Sequence, residues 1–172
     1  MNRLILLRHG KAERSASGGD IARRLTDRGR RDAALMAAVL AGEGLAPDLV
    51  LVSAATRTQE TWAAARPAFP DARSEVRRDL YLAGEGLILD LAESLGAEAE
   101  CVMVIGHNPG LQMLGLQLLI EGSCGQATIS RLQSKFATSS AVAFNFDAAG
   151  RPSFDGLFHA SDHGGGAAGA DD

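Results

Sequence analysis

Three short aliphatic runs punctuate the chain, and each stops at polar residues. LILL at 4–7 leads into Arg8-His9-Gly10, LVLV at 49–52 into Ser53 with Arg57 just beyond, and VMVI at 102–105 into Gly106-His107-Asn108-Pro109. Unbroken aliphatic runs suit strands covered on both faces, as in a parallel sheet, better than alternating ones would. Helical patterns lie between them. One starts at Thr26 or Asp27, either a suitable cap, continues through Ala33, Ala34, Met36, Ala37, Val39 and Leu40, and ends at Gly42 or Gly44. A second spans 54–65 and stops before Pro67, and a third spans 87–95 and closes at Gly96. A fourth begins at Asn108-Pro109 and runs through Leu111, Leu114, Leu118 and Leu119. Alternating Val142, Phe144 and Phe146, then a turn at 147–150 and Ser153-Phe154, read as a hairpin at the sheet edge. Strands alternating with helices of this length predict an α/β protein, a three-layer α/β/α sandwich with a mostly parallel central sheet. The domain is expected to occupy residues 1–160, leaving the Gly/Ala-rich 161–172 as a flexible tail.

With 172 residues, 46% of them hydrophobic, the chain suits one domain with a single sizeable core. The formal net charge of −4 argues against general affinity for nucleic acid or an anionic membrane, so any anion site must be a local cluster of positive charge. Cys101 and Cys124 lack a metal-ligand spacing and are expected to be free thiols in a reducing compartment. The apolar run at the N-terminus is broken at once by Arg8 and His9, too early for a signal peptide. The expectation is a soluble, cytoplasmic protein.

The candidate chemistry lies where the strands end. Ligands of open parallel sheets bind beyond the carboxyl ends of the strands. Two predicted strands end in histidines, the first preceded by Arg8, and the helix after the middle strand carries Arg57 in its first turn. The fold should therefore gather Arg8, His9, Arg57 and His107 at one rim. Two guanidinium forks and a histidine around a second histidine make a pocket for a tetrahedral dianion, because planar arginine donors match phosphate oxygens bidentately. Each residue also has a plainer reading: Arg8 and His9 as solvent-facing strand ends, His107 as a core histidine, Arg57 as a surface residue paired with Glu60 at i+3.

LLRHGKAE at 6–13, SAATRTQET at 53–61 and VIGHNPG at 104–110 together resemble the histidine phosphatase superfamily, whose fold is phosphoglycerate mutase-like. The short length and RRLTDRGRRDA at 23–33 are similar to the SixA-type phosphohistidine phosphatases within it. The resemblance implies that His9 accepts the phosphoryl group and that Arg8, Arg57 and His107 hold its oxygens. It also implies that Arg23 can reach the phosphate. No metal or cofactor is implied. Nearby guanidinium charges suit a neutral histidine nucleophile, because they disfavour its protonation.

The general acid has no secure match. Asp79 is the first candidate and Glu85 the second, and neither sits in a motif. Little sequence remains for a lid, with only 66–86 available to cover the pocket. These features predict a phosphatase working through a covalent intermediate on His9, with a phosphohistidine-bearing signalling or phosphotransfer protein as substrate. Alternatives are a small-metabolite phosphomonoesterase or mutase of the same superfamily, acting on small phosphate esters, and a non-catalytic phosphate-recognition module.

Overall fold

A computed structural model describes residues 1–166 of the chain. Strand β1 (Arg3–Arg8) lies within a six-stranded sheet, flanked by β4 (Cys101–Gly106) in parallel and β5 (Ala141–Phe146) antiparallel. Beyond β4 come β2 (Leu49–Ser53) and the edge strand β3 (Arg73–Arg77), both parallel to it. Beyond β5 comes β6 (Pro152–Phe158), its antiparallel hairpin partner at the opposite edge.

The aliphatic runs are unbroken because both sheet faces are covered. Leu4 and Leu6 of β1 join Val102 and Val104 in one core, against α3 (Glu85–Leu95), α4 (Gly110–Glu121) and α5 (Gln126–Ser134). The alternate residues Ile5, Leu7, Met103 and Ile105 face the other way, against α1 (Asp27–Gly42) and α2 (Thr56–Ala65). The three layers follow directly from this two-residue alternation. Each fully buried aliphatic side chain contributes about 1.5–3 kcal/mol relative to exposure. The sheet edges therefore hold least of this energy.

Two elements carried too little hydrophobic signal to be predicted. β3 reads RSEVR and is almost wholly exposed, so its pairing with β2 supplies the order that side-chain burial does not. α5 buries only Leu132. Residues 66–86 thus hold a strand and a 3-10 turn (Arg66–Ala68) as well as a pocket-covering loop. Residues 161–166 of the Gly-rich tail are tied down: Gly165 N–H donates to the Ala160 carbonyl and Gly166 N–H to Asp32 of α1. The rest of the expected tail, 167–172, lies outside the described residues. Among the described residues no helix is long and apolar enough to cross a membrane, and Cys101 and Cys124 are free thiols.

Candidate active site

Strand register brings the two histidines together. Arg8 of β1 pairs with Gly106 of β4, so the next residue on each strand is a histidine leaving the sheet at the same level. Their rings stand 5.4 Å apart between centroids, tilted by 56°. β2 ends beside them, and its Ser53 hydroxyl lies 2.7 Å from His107 Nε2. The first turn of α2 then sends Arg57 inward, where it is 2% exposed. Arg57 Nε donates to His9 Nε2 at 3.3 Å, and its Nη2 meets His107 Nδ1 at 3.2 Å. The surface reading of Arg57 fails because Glu60 points elsewhere, accepting from Arg24, Arg30 and the Leu25 N–H.

The tautomers follow from these contacts. His9 Nδ1 lies 2.8 Å from its neighbour's carbonyl, Gly10 O, so it carries the proton and leaves the Nε2 lone pair facing Arg57. His107 Nδ1 accepts from Arg57, so its Nε2–H donates to Ser53. Burial is the main reason His9 is lowered to about 3; the Gly10 carbonyl opposes this, and His107, Arg57 and Arg8 reinforce it. His107 is lowered to about 4, again mainly by burial and then by Arg57, with Asp20 opposing. Both rings are neutral at physiological pH.

The loop carrying His9 is pinned from three sides. Gly10 N–H donates to Thr61 Oγ1 of α2, which in turn donates to the Arg57 carbonyl. Ser139, at a left-handed φ of 56°, gives its N–H to the carbonyls of Arg8 and His9. On the third side the loop crosses the start of α1 at glycine distance. A Cβ on Gly29 would sit 2.1 Å from the Lys11 carbonyl oxygen, and one on Gly10 would sit 2.5 Å from the Gly29 oxygen. Thr26 secures the crossing: its hydroxyl caps α1 at Gly29 N–H and donates to the Lys11 carbonyl. This is the physical content of the 23–33 segment, which holds the His9 loop against a helix start.

Around the histidines lies a hollow of about 470 Å³ lined by Arg8, Lys11, Arg14, Arg23 and Arg57, with Asp20 as the one carboxylate among the described lining residues. Arg8 also donates to the Phe136 carbonyl. Arg23 lines the hollow while bonding Asp20 through Nε and the Glu13 carbonyl through Nη1. Asp79 does not line it. Its carboxylate is clamped by Arg77, which holds it below its ordinary range, and it stands exposed just past the end of β3. Glu85 begins α3 and is likewise not part of the lining.

Sequence reasoning missed Asp20, Tyr81 and the part played by Ser53. Asp20 sits in a 3-10 turn (Asp20–Ala22) that arches over Arg57, accepting from Arg57, Arg23 and Tyr81 Oη, the last at 2.5 Å. The Tyr81 hydrogen bond, opposed by desolvation and then reinforced by Arg57 and Arg23, lowers it to about 2. Tyr81 also stands edge-on to His107 at 5.6 Å. Ser53 ends an aliphatic run within a quoted motif, a usable signal; Asp20 lies in a polar loop with none.

Residues 4–81 match the family model described as Histidine phosphatase superfamily (branch 1). The uncharacterized protein Rv1276c of Mycobacterium tuberculosis is 31% identical over 133 residues, 77% of this chain and 82% of that protein. The chain belongs to the histidine phosphatase superfamily. Among solved structures, a candidate phosphohistidine phosphatase SixA from Agrobacterium tumefaciens superposes with a TM-score of 0.79 at 28% identity, covering 92% of this chain and 97% of that one. The protein histidine phosphatase SixA complexed with tungstate gives 0.76 at 26%, covering 93% and 98%. The six-stranded α/β/α arrangement of this histidine phosphatase is phosphoglycerate mutase-like, and the chain is a phosphatase by family.

Proposed function

We propose that this phosphatase removes the phosphoryl group from phosphohistidine on a protein, through a phosphoenzyme on His9. His9 Nε2 attacks phosphorus in line with the departing imidazole. The substrate P–N bond breaks as the His9 Nε2–P bond forms. Arg8, Arg23 and Arg57 supply guanidinium donors to the equatorial oxygens, Arg57 by exchanging its bond to the Asp20 carboxylate for one to the phosphoryl group, while His107 lines the same hollow and steadies Arg57 through Nδ1. Water then attacks phosphorus, the Nε2–P bond breaks, and inorganic phosphate leaves. Through both steps His9 keeps its Nδ1 proton on the Gly10 carbonyl, so it departs as a neutral imidazole in the second step.

The observation that carries this reading is the absence of a neutral acid among the described lining residues. Asp20 is their one carboxylate, and at about 2 it is ionised. An alcohol ester needs a proton delivered to its leaving oxygen. A phosphohistidine ring protonated at its far nitrogen leaves as neutral imidazole without one. The site therefore suits an N–P bond better than an O–P bond. The likeness to SixA-type structures at 26% and 28% identity supports the same choice.

Turnover of a phosphohistidine-bearing phosphotransfer protein, compared with phosphoserine and p-nitrophenyl phosphate, tests it. Protein phosphohistidine should be preferred by at least about a hundredfold in kcat/KM, and equal or faster ester hydrolysis would overturn the substrate assignment. Rapid quench with radiolabelled substrate should trap an acid-labile, base-stable phosphoryl group that is lost in His9→Asn.

A further inference from the structure

Beside the anion-binding hollow lies a second one, of about 580 Å³, lined by Ile21, Ala54, Gln59, Val76, Arg78 and Tyr81. Its apolar residues are bare: Ile21 is 43% and Val76 52% exposed, and neither belongs to a core cluster. Ile21 and Val76 therefore offer apolar contact to whatever extends past the neighbouring hollow. Here the exposure is continuous with the active site. Asp20 lines the first hollow and Ile21, its neighbour, the second. Tyr81 lines the second and Leu82, 57% exposed at a φ of 53°, lines the first. The partition between the hollows is thus two dipeptides joined by the Tyr81–Asp20 hydrogen bond.

The charge around the two hollows is one-sided. Arg8, Lys11, Arg14, Arg23, Arg57 and Arg78 line them, against Asp20 alone, in a chain of net charge −4. A phosphorylated side chain reaching His9 brings its carrier's surface over the partition and onto the second hollow. The second hollow is lined by residues that do not line the first, so only a substrate extending past its phosphorylated group meets it.

We infer that Ile21, Val76, Tyr81 and Arg78 form the docking shelf for the protein that carries the phosphohistidine. The shelf takes an apolar face of that protein with an acidic residue set to meet Arg78. This rests on the substrate reading above and adds the surface that selects the carrier. Apolar contact supplies the affinity, and the basic rim orients the encounter.

Val76→Glu and Arg78→Glu test the shelf, since both residues lie outside the catalytic hollow and Val76 is on the exposed edge strand. The probes are a histidine-containing phosphotransfer domain phosphorylated with phosphoramidate, and free phosphohistidine. Each variant should raise KM for the phosphodomain by on the order of tenfold and leave kcat/KM for free phosphohistidine within about twofold. Equal effects on both probes, or none on the phosphodomain, would overturn the shelf while leaving the substrate reading intact. Wild-type enzyme that fails on the phosphodomain but hydrolyses small esters would instead sink the substrate reading. A wild-type dimer in sedimentation that Val76→Glu makes monomeric would assign the shelf to a second copy of this chain and overturn the proposal.

Discussion

The two halves of the anion-binding hollow are built on different principles. One half is strand ends and a helix start: His9, His107, Ser53 and Arg57 are 7%, 4%, 0% and 2% exposed and linked by hydrogen bonds across β1, β4, β2 and α2. The other half is loop: the Asp20 and Arg23 side chains keep 48% and 25% of their exposure, and Leu82 more still. Rigid elements hold positions to the accuracy that phosphoryl transfer demands. Loops hold what must yield to a substrate. On the proposed function, the first half performs the chemistry, and the second governs admission and the choice of carrier.

The largest effect should come from Arg57, which touches both histidines and Asp20. Arg57→Ala should lower kcat/KM on the order of a thousandfold or more. Lysine at 57 should restore little, because a point charge cannot serve three directions at once. Near-wild-type turnover in Arg57→Ala would show that the buried half is scaffolding and not machinery. Gly29→Ala comes next. Its Cβ would collide with the Lys11 carbonyl, so denaturant melts should show about 2–4 kcal/mol lost, together with reduced activity, because the displaced backbone is the loop that carries His9.

The pH response separates the halves further. His9 is lowered to about 3 from about 6.5, so between those values the unfolded chain binds a proton that the folded one refuses. Stability must therefore rise with pH across that window and fall as the solution is acidified. His9→Asn removes this linkage, so the variant should gain on the wild type by up to about 1.4 kcal/mol per pH unit from 6.5 down toward 4. Urea melts at pH 7 and 4.5 measure it, and parallel losses in both proteins would contradict the buried neutral ring. Ring-nitrogen NMR should show His9 and His107 uncharged throughout pH 5–8. The smallest effect belongs to the loop half. Asp20→Ala removes the anion competing for Arg57, so inhibition by tungstate or phosphate should tighten several-fold, about 1 kcal/mol for a pair whose carboxylate is half exposed. Weaker inhibition would mean that Asp20 orders the loop more than it obstructs it.

This division also explains what was legible in the sequence. His9, His107 and Arg57 were readable because an aliphatic run closely precedes each, and a strand's end fixes where the next side chains go. Register did the rest, setting His9 level with His107. The α1 start was readable for the same kind of reason, since Thr26 is a cap with a local partner. The loop half depends on contacts between residues 61 positions apart, as in Tyr81 and Asp20, with no periodicity to mark them. Asp79 drew attention through its neighbourhood, yet Arg77 two residues away claims it. β3 escaped because an exposed edge strand needs no hydrophobic pattern.

The Asp20 carboxylate gives the resting enzyme its own counter-ion. A guanidinium as buried as Arg57 never waits uncompensated for its substrate, so an incoming phosphoryl group is admitted by exchange and not by addition. Part of its attraction is cancelled by the anion it displaces, and the same anion is on hand to return when phosphate departs. Such a pocket discriminates weakly on the strength of the anion alone, and leaves selection to whatever the anion is attached to.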